Sequence, residues 1–230
     1  MTREEIKTFW LERAKVKDVP RSESLVNFLS DAQIADLYIK TEIALIEDKF
    51  KLKSNDVVAD IGAGNGRFSL LFAPKVKKVI AVEFISDFAA SIEQQAKKMQ
   101  FENIEVLNMP AEEFCRENYA SVVFVSGLLN NLDSEQYHRT LENIQKTLQH
   151  GGVLFLRETI SVLDDEFIVD KFSEELGTHY CSKYRTSRQH IEAFTEYGFK
   201  LVEYSPFFED GSILNKRLET RLYYFIFLKS

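Results

Sequence analysis

The sequence has few cysteines, few glycines, no basic surplus and no long apolar run. Its two cysteines, Cys115 and Cys181, do not suggest a disulfide framework and favour a reducing compartment. A formal net charge of −7 argues against the basic face that duplex nucleic acid requires. No run approaches a membrane-spanning length, and the N-terminal residues lack the apolar centre of a signal peptide. We therefore expect a cytoplasmic protein that binds neither nucleic acid nor membrane.

Several catalytic signatures are absent as well. No two of the four histidines have metal-ligand spacing, so no metal site is predicted. The chain has no G-x-S-x-G, no P-loop and no Cys-x-x-Cys. Serine hydrolases, P-loop ATPases and dithiol redox enzymes therefore lack their sequence signatures here.

The chain has ample material for a buried core and uses glycine sparingly. Its 230 residues include 19 Phe and 9 Tyr, which excludes disorder as the main state. None of the nine glycines occurs before Gly62, and three fall within five residues, at Gly62, Gly64 and Gly66. Such a cluster is typical of a turn whose backbone adopts conformations other residues avoid.

Short apolar runs alternate with helical patterns between residues 56 and 156. This order predicts a parallel sheet covered by helices on both faces. The predicted strands are 57–61, 78–83, 104–107, 121–125 and 153–156, and the predicted helices are 67–72, 86–99, 111–117 and 133–149. Two later strands, 200–204 and 222–228, would add an antiparallel edge hairpin.

The complete prediction is an α/β, Rossmann-like, doubly wound, mainly parallel seven-stranded sheet. Residues 1–48 lack glycine and read as two helices, 2–14 and 31–49, which would form an N-terminal helical cap on a core of residues 49–230. The segment 158–185 is expected to be irregular, with a helix over 166–176.

The glycine cluster lies between the first predicted strand and the next helix. It reads Asp60-Ile-Gly-Ala-Gly-Asn-Gly66, and Glu83 ends the following strand, 21 residues after Gly62. A carboxylate at that place can accept hydrogen bonds from a ribose diol. Dinucleotide-binding turns place a third glycine where this chain has Arg67, which weakens an oxidoreductase interpretation.

The motif Asp-Ile-Gly-Ala-Gly-Asn-Gly resembles the first motif of class I S-adenosylmethionine-dependent methyltransferases. The resemblance continues in order through Val-Ile-Ala-Val-Glu83, residues 108–114, 121–132 and 148–156, and the junction at 197–202. It covers about residues 50–228. The chain departs from the family pattern at Pro110 and Ser121, where the family often has an acid. Asn130 and Asn131 stand where a His pair is common.

The resemblance implies S-adenosylmethionine as cofactor and S-adenosylhomocysteine as product. The implied cofactor-binding residues are Asp60, Gly62, Ala63, Gly64, Gly66, Glu83, Phe84, Ala111, Glu112, Ser126 and Leu128. In an open α/β sheet, ligands bind beyond the carboxyl ends of the strands. We therefore predict Glu158 and His179 as catalytic residues. The predicted acceptor contacts are Trp10, Arg13, Tyr38, Asn130, Arg157, Tyr180 and Tyr184.

Four functions remain open from the sequence. The first is methyl transfer to an oxygen or nitrogen nucleophile of a small molecule or saccharide. The second is methylation of a protein N-terminal amine, since an acidic surface suits a basic peptide. The third is a nucleotide-binding oxidoreductase, which also lacks Tyr-x-x-x-Lys. The fourth is a non-catalytic partner that has kept the fold.

Overall fold

The computed structural model describes residues 8–12, 32–173, 178–215 and 217–230. Its strands are β1 (Val57–Ile61), β2 (Lys78–Val82), β3 (Ile104–Leu107), β4 (Ala120–Ser126), β5 (Leu148–Ser161), β6 (Phe167–Ser173), β7 (Thr178–Tyr184), β8 (Phe199–Pro206) and β9 (Thr220–Lys229). Seven of them form one sheet in the order β3-β2-β1-β4-β5-β9-β8, while β6 and β7 pair separately. The neighbours from β3 to β5 are parallel, and β9 is antiparallel to both β5 and β8. The predicted fold class is confirmed.

The helices are α1 (Ala32–Lys49), α2 (Arg67–Phe72), α3 (Ser86–Lys98), α4 (Ser134–Thr147) and α5 (Ser187–Glu196). Single 3₁₀ turns cover Ala73–Lys75, Ala111–Glu113 and Leu129–Asn131. Asp133 and Thr186 begin α4 and α5 with capping boxes, in which each side chain accepts from an N3 amide. No helix in the described ranges is long and apolar enough to cross a membrane.

The central strands are buried because helices cover both faces of a parallel sheet. Val58, Val79, Val123 and Phe124 are fully buried, as continuous apolar runs in such strands predict. On one face, Phe124 of β4 and Phe155 of β5 form an aromatic cluster with Phe50, Phe68 and Phe72. The opposite face packs against α4 and α5. This arrangement fixes the carboxyl ends of β1, β2 and β4 side by side.

The N-terminal residues contact this framework at two places. Tyr38 and Ile46, on one stripe of α1, are buried with the aromatic cluster. Residues 8–12 are helical, and Trp10 packs against Ile85 and Phe88 at the start of α3. The division into a cap of 1–48 and a core of 49–230 stays a prediction.

Two local predictions were wrong. The segment 158–185 is an extension of β5 followed by the β6–β7 hairpin, and the helix predicted over 166–176 is absent within its described part, 166–173. In the structure, the burial of successive side chains alternates here: Val169 is buried between exposed Ile168 and exposed Asp170, as expected for a strand. The helix predicted over 111–117 is only the 3₁₀ turn Ala111–Glu113.

Candidate active site

An open cavity lies at the carboxyl ends of β1, β2 and β4, with about 910 Å³ of empty space when the solvent at its mouth is included. Its described walls are mostly apolar. They comprise Trp10, Gly62, Gly64, Val82, Glu83, Phe84, Ile85, Phe88, Met109, Pro110, Ala111, Glu112, Ser126, Gly127, Leu128, Asn131, Leu132 and Gln136.

The glycine turn forms the floor of this cavity and is fixed by backbone hydrogen bonds. The amides of Gly62 and Ala63 both donate to the carbonyl of Val82, at 2.9 and 3.0 Å. Gly62, Gly64 and Gly66 have φ values of +76°, +58° and +83°, which residues with a Cβ rarely adopt. The turn therefore needs glycine at these three positions.

Gly66 and Gly64 differ in the space around their α-carbons. A Cβ at Gly66 would lie 2.7 Å from Cγ1 of Ile92, so that glycine allows α2 and α3 to pack closely. A Cβ at Gly64 would meet nothing within 4 Å, and Gly64 lines the cavity. Gly64 therefore leaves open space where a ligand can approach the backbone.

Glu83 is the buried carboxylate on the cavity wall beside the turn. Its Oε2 accepts from the amide of Gly64 and its Oε1 from the amide of Ile85, both at 2.7 Å. Burial raises the pKa of Glu83 to about 7, and the two amide hydrogen bonds oppose that rise. The carboxylate is thus held in one orientation at the end of β2.

Asp60 lies beneath the turn rather than on the described cavity wall. Its Oδ2 accepts from the hydroxyl of Ser69 at 2.6 Å, which ties β1 to α2. Burial raises the pKa of Asp60 to about 6. The structure therefore gives this predicted cofactor contact a role in supporting the turn.

The segment after β4 forms the wall facing the glycine turn. A Cβ at Gly62 would lie 3.1 Å from both δ-carbons of Leu128, so the two segments are in close contact. The backbone amide of Gly127 donates to the carbonyl of Arg157 at 2.9 Å, and Nδ2 of Asn131 donates to the carbonyl of Gly127 at 3.0 Å. These hydrogen bonds of Gly127 hold the wall in place.

Glu158 supports that segment from β5. Its Oε2 accepts from the amide of Leu129 and its Oε1 from Nδ2 of Asn130, both at 2.9 Å. Burial raises the pKa of Glu158 to about 7. Neither Glu158 nor Asn130 is among the described residues that line the cavity.

Arg157, the neighbour of Glu158, points toward the other face of the sheet. It is paired with the fully buried Glu42 of α1 and donates to the hydroxyls of Tyr38 and Ser126, both at 3.2 Å. Arg67 also pairs with Glu42, at 2.5 Å between Nη1 and Oε2. Arg157 and Tyr38, predicted as acceptor contacts, therefore anchor α1 to the sheet.

The far end of the cavity is bounded by the 3₁₀ turn after β3. Ala111 and Glu112 line it and are largely buried. Oε1 of Glu112 accepts from Nε2 of Gln136 at 3.2 Å, and its carbonyl accepts from Nδ2 of Asn143 at 2.8 Å. These contacts fix the turn against α4.

The predicted site residues divide into groups by location. The cavity brings together Trp10, Gly62, Gly64, Glu83, Phe84, Ala111, Glu112, Ser126 and Leu128. Ala63 and Gly66 shape the turn without lining it, and Tyr184 is buried, with its ring stacked 6.2 Å from that of Phe167. Arg13 lies outside the described residues. His179 and Tyr180 lie on β7, with side chains outside the described part.

Sequence reasoning missed several residues. The cavity wall also includes Val82, Ile85, Phe88, Met109, Leu132 and Gln136, whose apolar or neutral character gave no chemical signal. Arg185 was missed as well, although it donates to the carbonyl of Leu129. A signal did exist for Glu42, which lies four residues after Tyr38 and four before Ile46 on the apolar stripe of α1.

The chain is similar to several proteins of known name or structure. A family model described as a methyltransferase domain matches residues 58–152. A probable cobalt-precorrin-6B C(15)-methyltransferase (decarboxylating) from Methanococcus maripaludis is 30% identical over 139 residues, which cover 60% of this chain and 71% of that protein. Phosphoethanolamine N-methyltransferase 1 of Caenorhabditis elegans is 26% identical over 159 residues, covering 69% of this chain and 32% of that protein.

A solved structure extends the likeness to the whole fold. Haemonchus contortus phosphoethanolamine N-methyltransferase 1, in complex with phosphoethanolamine and S-adenosylhomocysteine, aligns with a TM-score of 0.74 at 20% identity. The alignment covers 98% of this chain and 50% of that one. The chain spans from 26% to 50% of the length of several curated relatives that it matches. Together with the Methanococcus relative and the family model, these likenesses show that the chain belongs to the class I S-adenosylmethionine-dependent methyltransferase superfamily.

Proposed function

We propose that the protein is an S-adenosylmethionine-dependent methyltransferase that acts on an oxygen or nitrogen nucleophile of a small molecule or saccharide. The observation that carries the proposal is the pairing of Gly64 with Glu83 on one cavity wall. The accessible backbone at Gly64 and the oriented carboxylate of Glu83 lie side by side, at the carboxyl ends of the adjacent parallel strands β1 and β2. That arrangement suits a ribose-containing ligand.

The residues present fit S-adenosylmethionine. Gly64 offers a cradle that a Cβ would fill, and Glu83 offers two carboxylate oxygens to a ribose diol. The apolar side chains of Phe84, Met109 and Leu132 suit the faces of an adenine ring. Near the proposed adenine position, Ala111 offers a backbone amide and Glu112 a carboxylate. Ser126 and Leu128 line the wall formed by the segment after β4.

When bound, S-adenosylmethionine supplies a methyl carbon that its sulfonium already activates. The protein's own contribution is therefore orientation and the exclusion of water, which can supply much of the rate acceleration. The apolar walls, with Trp10 at one side, favour a dry site. Glu83 and Glu112 are the titratable groups among the described lining residues, and both lie on the side proposed for the cofactor. The proposal therefore relies on positioning, with no general base assigned among these residues.

The acceptor class is supported by three observations. The Methanococcus and Caenorhabditis relatives bear names of methyltransferases acting on small molecules, a precorrin at C(15) and phosphoethanolamine at nitrogen, and the second name supports a nitrogen nucleophile. The net charge of −7 opposes nucleic acid as a substrate. The cavity is a concave, largely apolar pocket, which suits a small acceptor better than a flat protein surface.

Calorimetry tests the cofactor part of the proposal. We expect S-adenosylhomocysteine to bind and NAD(H) and NADP(H) to bind negligibly. Glu83→Ala should weaken S-adenosylhomocysteine binding by about 1–3 kcal/mol, because charge-assisted hydrogen bonds are lost. Asp87→Asn is the matched control, since Asp87 is an exposed acid four residues away on α3. Tighter binding of a nicotinamide nucleotide would contradict the proposal.

Labelled methyl transfer tests the acceptor part. The protein is incubated with methyl-labelled S-adenosylmethionine and either a metabolite extract or a peptide library. We expect label in small molecules. Label found only in peptides would replace this acceptor class with protein N-terminal methylation.

A further inference from the structure

Leu129, in the turn after β4, is held at both its amide and its carbonyl by buried charges. Its amide donates to Oε2 of Glu158 at 2.9 Å, and its carbonyl accepts from Nη1 of Arg185 at 3.0 Å. Glu158 and Arg185 are 1% and 7% exposed. In surroundings from which water is excluded, these two hydrogen bonds fix the peptide units on both sides of Leu129.

Both charged side chains have further partners away from the cavity. Oε1 of Glu158 accepts from Nδ2 of Asn130, and the guanidinium of Arg185 lies 3.8 Å from the ring centroid of Tyr137. Neither charged residue is among the described residues that line the cavity. Their effect on a ligand there has to pass through the turn that they hold.

The turn transmits that effect through Leu128. Leu128 lines the cavity, precedes Leu129, and contacts the glycine turn closely enough that a Cβ at Gly62 would lie 3.1 Å from it. A displacement of Leu129 would change the position of Leu128 relative to Gly62. The two walls of the cavity are therefore coupled at this contact.

We propose that Glu158 and Arg185 are positioning residues that jointly fix Leu129 and thereby set the cavity wall formed by Gly127 and Leu128. The inference rests on the proposed function, because it treats the cavity as the S-adenosylmethionine site. It differs from the catalytic role predicted for Glu158 from the sequence. Glu158 acts through a backbone amide and does not contact the acceptor.

The test compares Glu158→Gln, Arg185→Lys and the double variant with Glu203→Gln as control. Glu203 also accepts two side-chain hydrogen bonds, from Lys49 and Tyr224, but lies on β8. In Glu158→Gln the new amide group faces a donor, either Leu129 N–H or Asn130 Nδ2, so one of these contacts is lost. We expect each single variant to bind S-adenosylhomocysteine about tenfold more weakly.

Two further measurements separate positioning from general destabilisation. The affinity loss in the double variant should be smaller than the product of the single losses, because both residues act on Leu129. The amide of Leu129 should exchange with deuterium faster in Glu158→Leu, which offers that amide no side-chain acceptor, than in wild type. Glu203→Gln should match wild type in both affinity and exchange.

Several outcomes would overturn the inference. They are wild-type affinity in both single variants, unchanged exchange at Leu129, or losses that multiply in the double variant. If Glu158→Gln does not fold, Arg185→Gln replaces it in the affinity comparison, and wild-type affinity there overturns the inference. If wild type does not bind S-adenosylhomocysteine, the proposed function fails, while exchange at Leu129 still tests the positioning.

Discussion

Arg157 and Glu42 form a buried ion pair between residues 115 positions apart in the sequence, with Nε of Arg157 donating to Oε1 of Glu42 at 2.5 Å. The pair joins the carboxyl end of β5 to α1. Glu42 also pairs with Arg67 at the start of α2, so one carboxylate contacts two guanidinium groups. The carboxylate of Glu42 therefore links α1 to β5 and to the start of α2, directly after the glycine turn.

We predict that Glu42→Gln lowers the free energy of unfolding by about 3–5 kcal/mol, because it leaves the buried guanidinium of Arg157 and the partly buried one of Arg67 without a counter-charge. Urea unfolding followed by circular dichroism checks this. Glu47→Gln is the control on the same helix, since Glu47 pairs with Lys75 at the surface and should change stability little. Equal losses in the free energy of unfolding would show that the buried ion pair contributes no more to stability than the surface pair.

The glycine turn gives a matched pair of substitutions. Gly66→Ala should strongly reduce stability, because its φ is +83° and the new Cβ would lie 2.7 Å from Ile92. Gly64→Ala should cost about 1–2 kcal/mol of stability from its φ alone, since no atom lies within 4 Å of the new Cβ. Gly64→Ala should nevertheless abolish measurable binding of S-adenosylhomocysteine, because the methyl group would fill the open approach.

Thermal unfolding and calorimetry on both variants test this contrast. A Gly64→Ala protein that binds like wild type would place the ligand elsewhere. A Gly66→Ala protein as stable as Gly64→Ala would show that α2 and α3 do not pack as closely as the structure has them.

Three buried carboxyls make stability depend on pH. Burial raises the pKa of Asp60 to about 6 and those of Glu83 and Glu158 to about 7. The folded state therefore binds protons more tightly than the unfolded state, whose carboxyls titrate near about 4. The stabilisation from these groups is complete below about pH 4 and is lost as pH rises through about 7.

Urea unfolding between pH 5 and pH 7.5 measures this dependence. Buried His190 acts in the opposite direction, because burial lowers its pKa to about 3 and the unfolded imidazole therefore binds protons more tightly. Since three carboxyls outweigh one imidazole, the free energy of unfolding should still fall across the window, and Glu83→Gln should make the fall shallower by removing one titrating group. Glu203→Gln should leave the slope unchanged, since hydrogen bonds from Lys49 and Tyr224 lower the pKa of Glu203 instead. A stability that rises across the window would contradict the prediction.

Trp10 offers a direct optical signal, because it is the sole tryptophan and lines the cavity. Binding of S-adenosylhomocysteine should change its emission by altering the polarity around the indole. Trp10→Phe should remove the signal while calorimetry still detects binding. An unchanged emission at saturating ligand would show that Trp10 is only a packing residue against Ile85 and Phe88.

The parallel core could be predicted because its signals are local. Runs such as Val57–Ile61, followed at once by clustered glycines, define strand, turn and helix within the sixteen residues 57–72. The β6–β7 hairpin was missed because its exposed positions carry Ile168 as well as polar residues, which hides the alternation. The sheet order then placed Gly62, Glu83 and Leu128 around one cavity, as the motif order implied.

The roles of Arg157 and Glu158 could not be predicted in the same way. Their location near the end of β5 was anticipated, but their side-chain directions depend on the pleat of a strand that continues to Ser161. Adjacent residues then point to opposite faces, one toward Glu42 and the other toward Leu129. Partners 115 and 29 positions away leave no local pattern from which such pairing can be inferred.

The position of β9 has a consequence for the order in which the chain can fold. β9 lies between β5 and β8 and is hydrogen-bonded along both of its edges. During synthesis, β5 therefore keeps an open, aggregation-prone edge until residues 220–229 have left the ribosome. Because this pairing joins distant parts of the chain, closing that edge is a late and slow step. The glycine turn and its neighbouring strands are made early, yet the sheet supporting them is completed last.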